Sequence, residues 1–257
     1  MDLRLSGKSV LITGGSKGIG LATAHCFAAE GCKLVLVARD PEVLASAQSE
    51  VSAKHGVDVR TEPLDLAAPG RAVALAERHP DIDILVNNAG AIPGGNLEGV
   101  DEPTWRDAWD LKVFGFINLS RAYYSRMRSR KSGVIINVIG LAGDRPSYDY
   151  IAGTTGNAAL MAFTRALGSK SVDHGVRVMA VNPPYTETER LTKQLRRAAQ
   201  ARFGDPERWR ELLRNLPFDR PARPEEIADM VVFLASPRAS YMSGSVVNVD
   251  GGAASRN

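Results

Sequence analysis

Three glycines at the spacing G-x-x-x-G-x-G, Gly14, Gly18 and Gly20, sit in the run Thr13-Gly14-Gly15-Ser16-Lys17-Gly18-Ile19-Gly20. The run directly follows a short apolar segment, Ser9–Thr13. Glycine there lets the backbone turn tightly and come close to a ligand, and a helix starting at Gly18 points its free amides at an anion. The chemistry this predicts is phosphate binding, with Gly14, Ser16, Gly18, Ile19 and Gly20 around the anion and Lys17 beside it. A glycine run carries weight only when it joins a strand to a helix, and here it does. A second group with chemical capacity lies mid-chain, where Tyr150 and Asn157 are spaced to return to the same helical face.

These residues need a scaffold, and the apolar pattern supplies one. Short runs without alternation, Ser9–Thr13, Lys33–Ala38, Val57–Glu62, Ile82–Asn87, Val134–Val138, Val176–Asn182 and Val246–Val249, read as strands buried on both faces. Helical spacing separates them, over Gly18–Glu30, Pro41–His55, Pro69–Arg78, Thr104–Arg130, Ile151–Val172 and Glu225–Leu234. The prediction is an α/β fold: a doubly wound, seven-stranded, mostly parallel sheet with helices on both faces, formed by one domain over 1–257. Ligands of such sheets bind beyond the carboxyl ends of the strands. The charged stretch 186–220 interrupts the alternation and predicts either a helical lid over the site or a solvated helical pair.

Composition narrows the function classes. A net charge of +3 spread along 257 residues gives no nucleic-acid or anionic-membrane footprint. No segment has the length and apolarity of a membrane span, and Met1–Val10 has no apolar signal core. Cys26 and Cys32 lack metal-ligand spacing, so they read as small core residues in a reducing, cytoplasmic protein that holds no metal.

Beyond the glycine run, Asn87-Asn88-Ala89-Gly90 ends the fourth strand, Asp65-Leu66 follows the third, and Val181-Asn182-Pro183 ends the sixth. Arg223-Pro224-Glu225-Glu226-Ile227-Ala228, Tyr241-Met242-Ser243-Gly244 and Val249-Asp250-Gly251-Gly252 come in order after them. In these motifs the whole chain resembles the short-chain dehydrogenase/reductases. The resemblance implies a Rossmann fold and a dinucleotide cofactor held by the glycine run, Asp65, Leu66, Asn88, Ala89, Gly90 and Thr188. It also implies a small-molecule carbonyl, alcohol or enoyl substrate and assembly as a homodimer or homotetramer. The cofactor's type follows from charge. An acidic residue at the end of the second strand would bond the ribose hydroxyls of NAD and repel a 2′-phosphate, but the chain has Ala38 there, then Arg39, with Lys17 nearby. Two cations and no local carboxylate predict NADP(H), Asp40 being read as a helix cap.

The family's catalytic pattern is altered. Its serine, tyrosine, lysine and asparagine fall on Gly140, Gly153, Asn157 and Lys112, and neither Tyr148 nor Tyr150 has a lysine four residues on. Lysine and asparagine have in effect changed places between two helices that the resemblance sets side by side. Tyr150, three residues before Gly153, offers a replacement phenol, since glycine leaves room for it to reach in. The expectation is an oxidoreductase in which Tyr150 donates the proton and Lys112 lowers its pKa, with Asn157 beside them. The bland alternatives are that Tyr150 closes a loop and that Lys112 pairs with Asp110 at the surface. Pro184 and Tyr185 also stand where a glycine usually passes the nicotinamide. Two other functions stay open: a silent NADP(H)-binding sensor or partner subunit, and a non-redox enzyme on the same fold.

Overall fold

In β1 (Ser9–Thr13), Val10 and Ile12 pack into one hydrophobic cluster and Leu11 into another, because alternate residues of a strand face opposite sides of a sheet. That is why the run is apolar throughout. The computed structural model describes residues 1–256, and β1 lies inside the seven-stranded sheet it contains, between β2 and β4. The other strands are β2 (Lys33–Ala38), β3 (Val59–Pro63), β4 (Ile84–Asn87), β5 (Gly133–Val138), β6 (Val176–Asn182) and β7 (Val246–Asn248). Their order is β3-β2-β1-β4-β5-β6-β7, and every strand pairing is parallel, where the sequence predicted a mostly parallel sheet. The order reverses between β1 and β4, the point at which such sheets open a crevice for ligands.

Helices α1 (Gly18–Ala29), α2 (Pro41–His55) and α8 (Pro224–Ala235) contribute Phe27, Leu44 and Val231 to one cluster. Helix α3 (Arg71–Arg78) and the long helix after β4 contribute Leu75, Tyr123 and Met127 to the opposite one. Asp40 caps α2, its carboxylate accepting from the amides of Glu42 and Val43 at 3.1 and 3.2 Å. Cys26 and Cys32 are unpaired, and burial pushes both thiols up to about 12, so neither is poised to react.

The helix predicted over Thr104–Arg130 is divided. It begins as α4 (Glu102–Trp109), opens into a π turn over Asp110–Phe114, and resumes as α5 (Gly115–Ser129). A π turn widens the helix locally, and such turns are frequent at functional sites. Here it buries Lys112 and Val113 side by side while Asp110 and Phe114 stay outside. Helix α6 (Ile151–Ser171) runs alongside, tied to α4 by the indole of Trp109, which donates to the Ala152 carbonyl at 2.9 Å. The stretch after β6 folds into α7 (Glu189–Phe203), which packs on a 3₁₀ segment, Pro206–Leu213.

Candidate active site

The glycine loop between β1 and α1 is shaped by contacts that exclude side chains. A Cβ on Gly20 would lie 2.0 Å from the Gly14 carbonyl oxygen, and one on Gly14, at φ +65°, would meet the Asn88 amide at 2.9 Å. Asn88 donates its side-chain amide to the Thr13 carbonyl at 2.9 Å, while the Thr13 hydroxyl accepts from the backbone amides of Asn88 and Ala89 at 2.8 and 3.0 Å. The end of β4 therefore clamps the loop. Thr13 performs this role without having been singled out in the sequence, although it opens the motif.

Beside the loop lies a cleft of about 150 Å³ lined by Gly14, Ala38, Arg39, Leu66, Ala89 and Gly90, among others. It opens at the β1–β4 switch point, and a cradle that a single Cβ would fill matches a close-approaching pyrophosphate. The residues present thus suit a dinucleotide. Arg39 is exposed at the cleft's rim, and Ala38 ends β2 without a carboxylate. Leu66 is buried, whereas exposed Asp65 accepts from the Ala67 amide at 3.1 Å, its carboxylate shaping the turn after β3. Lys17 is exposed and paired with Glu189 of α7 at 3.2 Å, and Glu189 also holds Lys193 at 2.6 Å.

The first turn of α7 closes over this loop. Thr188 caps the helix, accepting from the Leu191 amide at 3.2 Å, and its methyl would touch a Cβ on Gly18 at 3.0 Å. Its hydroxyl also donates to the Thr186 carbonyl at 3.2 Å, so it is engaged within its own turn. Arg190, in the same turn, donates to the backbone carbonyls of Gly90 and Ile92. Nothing in the sequence marked Arg190, because only the docking of α7 on the β4 loop brings it there.

On the other side of the cleft, Tyr150 precedes α6. A parallel bridge to Gly95 fixes its backbone, with the Gly95 amide donating to the Asp149 carbonyl at 2.7 Å and the Ile151 amide to the Gly95 carbonyl at 3.2 Å. The ring folds over Gly153: a Cβ there would fall 2.1 Å from Cε1 and Cζ of Tyr150. The phenol therefore occupies the space that a side chain on residue 153 would take. Burial raises its pKa, and the neighbouring Arg190 guanidinium acts against that rise. Tyr185 lies apart, 51% exposed.

Lys112 is 9% exposed and pairs with no carboxylate among the described residues, so the surface pair with Asp110 does not form. Its ammonium donates to the Ile139 carbonyl at 2.5 Å. Burial, helped by the like charge of Arg190, pulls its pKa down to about 7. Asn157 is buried beside Gly140, whose φ of +143° suits glycine alone, and a Cβ there would meet the Asn157 amide at 2.9 Å. The Asn157 Oδ1 is buried with no hydrogen-bond partner among the described residues. Lys112, Tyr150 and Arg190 thus meet around the loop after β4, while Asn157 faces Gly140.

Gly153→Ala tests the ring's placement. The new methyl collides with a phenol held by backbone on both sides, so the ring is expected to leave its niche and turnover to fall by about 10²-fold, the scale of a misplaced catalytic group. Steady-state rates, with circular dichroism as the folding control, check this.

Comparison with known proteins bears on the whole chain. The family model for short chain dehydrogenases matches residues 8–199. Galactitol 2-dehydrogenase (L-tagatose-forming) of Cereibacter sphaeroides is 35% identical over 254 residues, 97% of this chain and 96% of that one. The 2,3-dihydro-2,3-dihydroxybenzoate dehydrogenase of Bacillus subtilis is 32% identical over 255 residues, covering 97% of each. Among solved structures, L-sorbose reductase from Gluconobacter frateurii, complexed with NADPH and L-sorbose, superposes with a TM-score of 0.92 at 34% identity over 100% of both chains.

Proposed function

The chain belongs to the short-chain dehydrogenase family, and from that premise we propose that it is an NADP(H)-dependent oxidoreductase whose proton-transfer group is built on Tyr150. The observation that carries the reading is the Tyr150 ring standing in the space of a residue-153 side chain, where the family's tyrosine would begin. When bound, the dinucleotide supplies or takes the hydride. The glycine loop, with Ser16 and Ile19 at the start of α1, holds its phosphates through backbone amides. Asn88, Ala89 and Gly90 keep the β4 end in register beneath it. The Tyr150 hydroxyl gives a proton to the substrate oxygen in reduction and receives one in oxidation. Lys112 and Asn157 complete the polar wall behind it, and Lys112, whose pKa lies near neutrality, favours the ionised phenol whenever it is protonated. The 186–220 stretch acts as the lid, through α7.

Arg39 is assigned to the 2′-phosphate, because no carboxylate competes at the end of β2 once Asp40 is committed to capping α2, and Lys17 joins it by exchanging Glu189 for the phosphate. Fluorescence titration is expected to show NADPH binding more tightly than NADH. Arg39→Ala is expected to weaken NADPH by about tenfold, the value of one charge-assisted contact, and to leave NADH unchanged. Equal affinities for the two cofactors in the unaltered protein would refute the assignment. Ketoses and polyols head the substrate screen, since the galactitol and L-sorbose enzymes among its relatives act on them. The same reading carries assembly as a homodimer or homotetramer through the outer faces of α5 and α6, the latter exposing Ala158, Ala159, Ala162 and Ala166.

A further inference from the structure

We infer that His25 of α1 and His55 of α2 form a chelating site for a divalent transition metal such as Zn²⁺, with the Glu50 carboxylate fixing one of the two rings. The site lies apart from the proton-transfer group, so the inference does not depend on the proposed oxidoreductase reading. Spacing along the chain could not reveal it, because the two histidines are 30 residues apart on separate helices.

Glu50 comes within 2.8 Å of His25 Nε2. An ionised carboxylate only accepts, so the neutral His25 ring carries its proton on Nε2 and presents a lone pair at Nδ1. That lone pair faces Nε2 of His55 at 3.1 Å. Two imidazole nitrogens at that separation, each about 2.0–2.1 Å from one ion, subtend about 100° at it, close to the tetrahedral geometry of Zn²⁺. The outer nitrogen of His55 then holds that ring's proton, and a modest turn of both rings brings the lone pairs to a common point. A carboxylate behind a ligating histidine orients the ring and raises its basicity.

The His25 side chain is 20% exposed and that of Glu50 55%, so an ion with its waters reaches the seam between the helices from solvent. No third histidine, cysteine or acidic side chain completes the group among the described residues, and water fills the remaining positions. The adjoining Cys26 is engaged elsewhere, its thiol donating to Asp229 of α8 at 3.6 Å. The ion would act as a clamp between two helices. Helix α1 follows the glycine loop and α2 follows Arg39, and Gly14 and Arg39 both line the cleft. A clamp across later turns of α1 and α2 therefore ties together the two helices that start at the cofactor side of the site.

The test is a calorimetric titration of Zn²⁺ into the tag-free, full-length protein after dialysis against a chelator, with Cu²⁺ electron paramagnetic resonance to count the nitrogen ligands. A single ion per chain is expected to bind, Cu²⁺ more tightly than Zn²⁺, and the Cu²⁺ spectrum is expected to show coupling to two nitrogens. Saturating Zn²⁺ should raise the thermal midpoint, because the ion binds the folded chain. His25→Ala and His55→Ala should each abolish binding at concentrations that fill the unaltered protein. Glu50→Gln should weaken it by about tenfold, the cost of losing the partner behind a ligand. Cys26→Ser, His79→Ala and His174→Ala should bind as the unaltered protein does. No binding of either ion by the unaltered protein, or binding that survives in both His25→Ala and His55→Ala, overturns the inference and leaves the 3.1 Å contact as a hydrogen bond between the rings. If the alanine variants do not fold, the Cu²⁺ spectrum of the unaltered protein decides, and coupling to fewer than two nitrogens overturns the inference.

Discussion

Tyr150→Phe is expected to lower turnover by about 10²–10⁴-fold, the usual worth of a positioned general acid or base, while NADPH binding stays within twofold of the unaltered protein. The reasons are separable. Phenylalanine keeps the ring that packs over Gly153 and into the cluster of Ile92, Val100 and Ala152, so the fold and the cleft are retained. The change removes only the hydroxyl beside Arg190. The cofactor-side residues Gly14 and Arg39 line the cleft beside the glycine loop, and Tyr150 is not among its lining residues. Steady-state kinetics with a ketose or polyol, paired with fluorescence titration, separates the two effects. Turnover near the unaltered rate would hand the proton to another group and sink the assignment.

Lys112→Met is expected to do two opposite things, to slow turnover by about 10²-fold and to stabilise the fold by about 1–4 kcal/mol. A buried amine that bonds one carbonyl and meets no carboxylate costs folding energy, and a thioether of similar length does not. The pH dependence has a definite sign. Lys112 titrates near 7 in the folded protein and near 10.5 when unfolded. Between those values the unfolded chain holds a proton that the folded chain has released, so this group makes stability rise with pH across that window and be lowest below 7. The variant lacks that slope. Its advantage is then full below pH 7 and fades as pH approaches 10.5. Denaturant unfolding at several pH values measures it. A variant less stable than the parent at pH 6 would mean the amine is held by interactions that outweigh its burial. A residue that costs stability and supports rate is what a functional site predicts.

Much of the architecture follows from short-range pattern. Unalternating apolar runs require strands covered on both faces, and helical spacing between them requires parallel crossovers, so the sheet could be read before any contact was known. The boundaries moved by a residue or two at β3, β4, β5 and β7, where strands pass into loops. The long helix after β4 was legible, but its π turn was not. Residues 110–114 have ordinary helical composition, and the π turn is set where the helix packs against α6. The shortening of the helix predicted over Pro69–Arg78 to α3 follows from Gly70, at φ +77°, which starts the helix one residue later.

The sequence by itself determined the glycine loop, the arginine that follows β2, and which residues, Gly140, Gly153, Asn157 and Lys112, stand where the resemblance expects catalytic side chains. Those are statements about residue type at a place in a motif, and a motif is local. Tertiary structure decided what the replacements became. Lys112 is buried and pulled toward neutrality, and does not pair with Asp110, because the π turn rotates it inward and α7 brings a like charge beside it. Tyr150 fills the space at Gly153 because the loop after β4 grips its backbone from Gly95. Arg190 joins them from a helix about 40 residues along the chain from Tyr150, and about twice that from Lys112. Charge neighbours and burial are set by which segments meet at the strand ends, and no spacing within one segment encodes that meeting.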